Sequence, residues 1–206
     1  MTELPATEPI DKAVQILEGA MQEFLTHGYA ATSMDRVAAA AGVSKATVYS
    51  HFGDKEGLFE ALVKRLAQQK FLHLTTLDCW HEEPRHSLPQ LITNALQHVL
   101  CDPEHLAFIR LIIGESGRFP KLAQIFVQNL SKPGIELMSQ YLAKHPQLNI
   151  ADPEATARII IGAVVYFVQI QEMLHGQEIV PMEPERLINA ITDLVITHQS
   201  PQAASI

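Results

Sequence analysis

Residues 33–52 read SMDRVAAAAGVSKATVYSHF, and this stretch decides the fold. Its pattern predicts two short helices flanking Gly42. Ala38, Ala39, Ala40 and Ala41 are small, so the first helix can approach its neighbours closely. Gly42 suits a tight turn with a positive φ, a conformation that costs glycine little. Val43 is apolar and can point back into a core. Ser44 is a good N-cap, because its hydroxyl oxygen accepts from a first-turn amide that has no partner within the helix. Two helices joined by a few residues that include glycine make a helix-turn-helix. In the second helix Val48 and Phe52, four apart, anchor inward. Lys45, Ala46, Thr47, Tyr49, Ser50 and His51 are left facing outward. Most of them carry donors and acceptors suited to phosphates and base edges. The pattern alone also fits a plain helical corner in an all-α core.

The flanks are helical as well. Ile10, Val14, Leu17, Met21 and Phe24 step by four, three, four and three, which paints one helical face. Gly28 follows as a stop. Asp54 caps a helix that opens on Lys55-Glu56-Gly57. Ser87 with Gln90 reads as a capping box. Asp102-Pro103-Glu104 and Asp152-Pro153-Glu154 share one logic: Asp caps, Pro takes the first helical position, and Glu favours the positive end of the helix dipole. Pro184-Glu185 opens the last helix in the same way. Strand signals are scarce, with no Asn-Gly or Asp-Gly hairpin turn. The expected fold is all-α, with about nine helices over 9–27, 34–41, 45–51, 55–80, 88–100, 103–115, 119–145, 152–175 and 184–198. Residues 1–9 and 199–206 read as flexible tails.

Composition narrows the function. The chain has 206 residues, 47% hydrophobic and 18% charged, enough apolar material for a sizeable core and too much for long disorder. Lys plus Arg number 15 against 23 Asp plus Glu, a formal net charge of −8. That excludes general attraction to nucleic acid or to an acidic membrane, so any DNA-binding surface must be local. Residues 33–70 hold six cations (Arg36, Lys45, Lys55, Lys64, Arg65, Lys70) against four anions (Asp35, Asp54, Glu56, Glu60). This local surplus is thin. Cys79 and Cys101 form neither a disulfide framework nor a Cys-x-x-Cys site. His81 with His86, and His98 with His105, lack the spacing of a helical metal site, so no metal and no cofactor is expected. No G-x-x-x-x-G-K or H-E-x-x-H motif points to an enzyme. The N-terminal MTELPATEPIDKAV lacks a basic start and an apolar stretch, so no signal peptide is expected. The longest apolar run, Ile159 to Val168, falls short of the roughly 20 residues that span a bilayer. The expectation is a cytoplasmic protein with no membrane partner.

The run from Ile16 to Leu62 resembles the N-terminal DNA-binding domain of the TetR family of bacterial transcriptional regulators. The features that carry the likeness are Phe24, Gly28-Tyr29, Thr32-Ser33, Val37-Ala38, Ala41-Gly42-Val43-Ser44, Thr47-Val48-Tyr49, His51-Phe52, Asp54-Lys55-Glu56 and Leu58-Phe59. The stretch RLIIGESGRFPKL from Arg110 resembles the AcrR and AefR branch, often tied to efflux control. The resemblance implies a helix-turn-helix DNA-binding domain over 10–70 and a helical ligand-binding and dimerisation domain over 71–198. It also implies that the third helix enters the major groove and the second buttresses it. Ser33 and Arg36 then approach phosphates or bases. Ser44, Lys45, Thr47, Tyr49, Ser50 and His51 form the reading surface, with Tyr49 and His51 toward phosphates. Lys55 and the start of the fourth helix meet a phosphate, and Ala46 can touch a thymine methyl group.

The eighth helix is apolar on all sides around Ile159–Val168, and such a helix is hard to bury within one small subunit. The family uses its last two helices as a two-fold interface. Here that implies contacts by Ile160, Gly162, Ala163, Val164, Phe167, Leu187, Ile191, Leu194 and Val195. Reading two half-sites of a palindrome also needs a dimer. The family's ligand pocket implies a lining of Phe71, Leu74, Trp80, Leu91, Phe108, Phe126 and Tyr166. His73, His98, Arg110 and Gln169 are its candidate polar contacts. For each aromatic, ordinary core is the competing reading. The leading expectation is a homodimeric, ligand-responsive repressor with partners of double-stranded operator DNA, a second copy and a small apolar or amphipathic ligand. An all-α enzyme or carrier, or an interaction protein whose helix-turn-helix no longer binds DNA, are the alternatives.

Overall fold

The computed structural model describes residues 11–196; Ile10, both expected tails and the side chain of His73 lie outside the described set. Nine helical stretches follow one another, with no strand among the described residues. They are α1 (Lys12–Ala31), α2 (Met34–Ala40), α3 (Lys45–Phe52), α4 (Lys55–Thr75), α5 (84–100), α6 (Pro103–Ser116), α7 (120–143), α8 (153–173) and α9 (Pro184–Ile196). In α5, α7 and α8 one stretch widens to π-type turns: Ala95–Leu100, Val127–Ser131 and Gln169–Met173. Short 3-10 turns stand at Asp78–His81, Pro146–Leu148 and Gly176–Glu178.

The helix starts follow the caps read from sequence with one exception, and Asp11, which the sequence reading did not single out, caps α1, which runs past Gly28 to Ala31. Asp11 accepts from Ala13 N at 2.9 Å, Ser44 from Thr47 N at 3.1 Å, Asp54 from Gly57 N at 2.8 Å and Asp152 from Ala155 N at 2.9 Å. Asp102 caps α6 through Glu104 N. The exception is Ser87. The helix begins at Pro84 rather than at 88, so Ser87 lies inside its first turns and is wholly buried. Its hydroxyl meets Tyr141 Oη at 2.6 Å and the carbonyls of Glu82 and Glu83. Pro84 at the first helical position was the better start signal.

The chain divides into two compact units. The first comprises residues 11–66 with 107–127. Its core gathers Ile16, Ala20, Phe24, Val37, Val48, Leu58, Phe59 and Leu62 with Phe108, Ile112 and Leu122. Phe24, Tyr29, Phe59 and Phe108 form a chain of aromatic contacts with ring centroids 5.5–5.7 Å apart. α1 crosses α2 at Gly19, where a Cβ would stand 2.9 Å from Ala41 N. Gly19 and the buried Ala38 and Ala41 therefore set how closely the helix-turn-helix sits on its support.

The second unit comprises residues 67–106 with 128–196. Leu88, Leu91, Ile92, Tyr141, Leu142, Leu148, Ala157, Ile160 and Val164 fill its core. α8 spans 21 residues and contains an 18-residue window of mean hydropathy 1.3, long and apolar enough by length and composition alone to cross a membrane. The ten-residue apolar run understates that, because the helix tolerates scattered polar residues around it. Ile160, Val164, Phe167 and Val168 of α8 enter the unit's own core, and so do Ile188, Ile191, Val195 and Ile196 of α9. Ile159 and Tyr166 face outward, 71% and 64% exposed, as does Leu194 at 70%.

Near the start of α6, Lys70 is buried and donates to Asp102 and to the His98 carbonyl. His105 is buried beside them, with an Nδ1 that has no hydrogen-bond partner. Burial first, and the Lys70 charge second, lower the His105 pKa to about 4.

Candidate DNA interface

The turn between α2 and α3 follows the expected chemistry. Gly42 takes φ 62°, and Val43 N donates to the Ala38 carbonyl at 3.0 Å, folding the turn back on α2. Val48 is fully buried and pins α3 by its inner face. Ser33, Arg36, Ser44, Lys45, Ala46, Tyr49, Ser50 and His51 are exposed, and Thr47 is partly buried. These side chains share the outer side of one short helix and the first turn of its neighbour.

Local hydrogen bonds preset several of them. Ser44 Oγ and Thr47 Oγ1 are 2.8 Å apart, so one of the two hydroxyls donates to the other. Ser33 Oγ accepts from Arg36 N at 3.3 Å, a long cap at the start of α2. Ser50 donates to the Thr47 carbonyl at 2.9 Å, which turns its hydroxyl back along the helix. The His51 ring leans against Phe52, 5.9 Å between centroids. Lys45 Nζ is held by both Asp35 oxygens, at 2.7 and 2.9 Å, and stands 5.8 Å from the Tyr49 ring centre. The hydrogen bond that Lys45 donates to Asp35, and the Asp35 charge, raise the Lys45 pKa.

Lys55 departs from the sequence expectation. Its amine donates to the carbonyls of Tyr29 at 2.8 Å, Thr32 at 2.9 Å and Ala30 at 3.4 Å. It also lies 4.4 Å from the Tyr29 ring centre. An ammonium has three donors, and all three are engaged here. Burial lowers its pKa despite the nearby Glu115 charge. Lys55 therefore closes the end of α1, where Gly28 bends the chain at φ 77° and leaves carbonyls without helical partners. Thr32 assists by donating to the Gly28 and Glu23 carbonyls. Glu115 accepts from Ala30 N at 3.4 Å, and Lys121 pairs with Glu56. Sequence spacing could not show this, because Lys55 lies over twenty residues from the carbonyls it caps.

The other expected sites divide. Of the interface residues, Ile160, Val164, Phe167, Ile191 and Val195 belong to the core of their own chain. Gly162 and Leu194 are exposed, and Ala163 and Leu187 partly so. A helix apolar on every side does not announce which face turns inward, and the outward stripe is Ile159, Gly162 and Tyr166. Of the ligand-lining residues, Phe108, Arg110 and Phe126 lie in the first unit and the rest in the second. Phe108 stacks on Phe59 in the core, and Leu91 is buried among the second unit's aliphatics. Trp80 donates to the Leu74 carbonyl at 2.7 Å and packs edge-on against Tyr141. Phe71 and Leu74 are partly buried; His98, Arg110, Tyr166 and Gln169 are exposed.

Comparison with known proteins places this geometry. The family model for bacterial regulatory proteins of the tetR family matches residues 16–62. The model for the C-terminal domain of AefR-like transcriptional repressors matches residues 88–198. The chain is 42% identical over 57 residues to the HTH-type transcriptional repressor AcnR of Corynebacterium efficiens, covering 28% of this chain and 30% of that protein. It is 25% identical over 174 residues to the HTH-type transcriptional repressor BepR of Brucella suis, covering 79% and 80%. Among solved structures, the flavonoid-responsive regulator FrrA is 28% identical with a TM-score of 0.74, covering 93% of this chain and 98% of that one.

Proposed function

The chain belongs to the tetR family of bacterial regulatory proteins and is a DNA-binding transcriptional regulator, and from that premise we propose that it is a ligand-responsive repressor acting as a homodimer on a palindromic operator. The observation that carries this reading is the outer side of α3. Its core-facing residue is locked, its cap is formed, and its polar side chains are free of the protein core. In this reading residues 10–70 bind DNA and residues 71–198 bind ligand and a second copy. Thr47 and Ala46 reach base edges. Arg36, Lys45, Tyr49 and His51 approach phosphates, with Ser33, Ser44 and Ser50 adding hydroxyl contacts. Lys55 leaves that set and holds α1 instead.

The exposed stripe of α8 supports the dimer. Ile159, Gly162 and Tyr166, with Leu194 of α9, put apolar surface outside their own core. Apart from its chain neighbours and the backbone of its own helix, no described atom stands within 4 Å of where a Gly162 Cβ would be, so a second helix can approach there closely. Such a patch on a water-soluble regulator marks an interaction surface. The ligand is small and apolar or amphipathic; the likeness to a flavonoid-responsive regulator makes planar phenolics the first compounds to try. Its binding would lower operator affinity and release efflux or stress genes.

Selection of genomic fragments by the purified protein, followed by sequencing, tests the reading. The expected outcome is enrichment of a short inverted repeat, and release of that fragment by an inducing compound. Enrichment of nothing would favour an interaction protein with a silent helix-turn-helix.

A further inference from the structure

We propose that Asp35 is a positioning residue for DNA specificity: it holds Lys45 away from phosphates until the operator seats α3. The proposal rests on the DNA-binding reading of α3. Only three cations lie between residues 33 and 55. Lys55 is engaged by three carbonyls. Lys45 is gripped by both oxygens of Asp35, at 2.7 and 2.9 Å. Arg36 is exposed and, among the described residues, has no carboxylate within ion-pair distance. In the unbound chain, then, one uncommitted cation per subunit remains on this segment.

The pair is built to exchange. Both side chains are more than half exposed, 58% and 62%, so water screens their attraction. A phosphate can take the Lys45 amine from Asp35 only if it arrives at hydrogen-bond distance. Diffuse attraction to a duplex supplies charge but no such placement. A duplex that fits the base-reading side chains does supply it. The pair thereby makes one charge contact per subunit conditional on correct docking, which raises the ratio of specific to nonspecific affinity.

The test compares wild type with Asp35→Asn, using a random-sequence 30-base-pair duplex and the selected operator, each titrated with salt. On the random duplex the wild-type dimer engages two Arg36 side chains, and log K against log salt has a slope of about −2. Asp35→Asn steepens that to about −4. On the operator both proteins give about −4, and the operator-to-random affinity ratio falls about tenfold in the variant. Asp35→Glu restores the wild-type values, and in a Lys45→Ala background Asp35→Asn changes nothing. If Asp35→Asn melts lower than wild type, Asp35→Ser is read in its place. Unchanged slopes, an effect that persists without Lys45, or a loss of operator binding on removing Asp35 would each overturn the proposal. Absence of binding to either duplex at low salt overturns the DNA-binding reading itself, a result separate from binding with unchanged slopes.

Discussion

Lys55→Met is expected to weaken folding and to leave the salt dependence of DNA binding alone. The substitution keeps most of the apolar stem and removes the amine from the Tyr29, Ala30 and Thr32 carbonyls. Carbonyls left without a partner cost about 1–3 kcal/mol, which urea denaturation measures directly. A shallower salt slope in the variant would instead mean that the amine leaves α1 for phosphate on DNA. Thr47→Ala is expected to do the opposite. It should cost about 1–3 kcal/mol of operator affinity with little change in melting, since Ser44 still caps the Thr47 amide. His105 sets a pH limit. Its folded pKa of about 4 lies below the ordinary 6.5, so the unfolded chain takes up the proton first as pH falls. The stability it contributes is complete above about pH 6.5 and is lost progressively down to about pH 4, on the order of 3 kcal/mol. Denaturation midpoints across that range should flatten in His105→Leu. An unchanged pH profile in that variant would show that another group carries the acid sensitivity.

At the scale of elements, α8 separates two kinds of position that look alike in sequence. Val164→Glu places an unpaired charge in the second unit's core, which costs about 3–5 kcal/mol and should unfold the chain. Tyr166→Glu places the charge on the outward stripe and should give folded monomers in light scattering with circular dichroism intact. A folded dimer from Tyr166→Glu would move the interface elsewhere. The same helix shows where reading stops. Its existence, start and length followed from Asp152-Pro153-Glu154 and from apolar density. Its inward face did not, because Ile, Val and Phe occur on every side and the choice depends on what α5, α7 and α9 present. The helix-turn-helix was legible nearly residue by residue, since Gly42, Ser44 and Val48 each have one physical use in so short a motif. Lys55 and Asp35 were not legible as they stand. Their partners are fixed by how helices meet, and spacing along the chain carries no trace of that.

For the molecule as a whole, the net charge of −8 opposes DNA binding, and the helix-turn-helix must overcome it with few cations. With the Lys55 amine engaged by carbonyls, the proposed reading leaves Arg36 and Lys45 to supply two phosphate contacts per subunit, four in a dimer. The measurement that bears most directly on the central claim is the affinity of the purified protein for its selected operator across a salt series, with stoichiometry determined alongside. One dimer per inverted repeat, and a slope of log K against log salt of about −4, are the predicted results. A slope of about −10 at that stoichiometry, or an affinity no greater than for random duplex, would contradict the account.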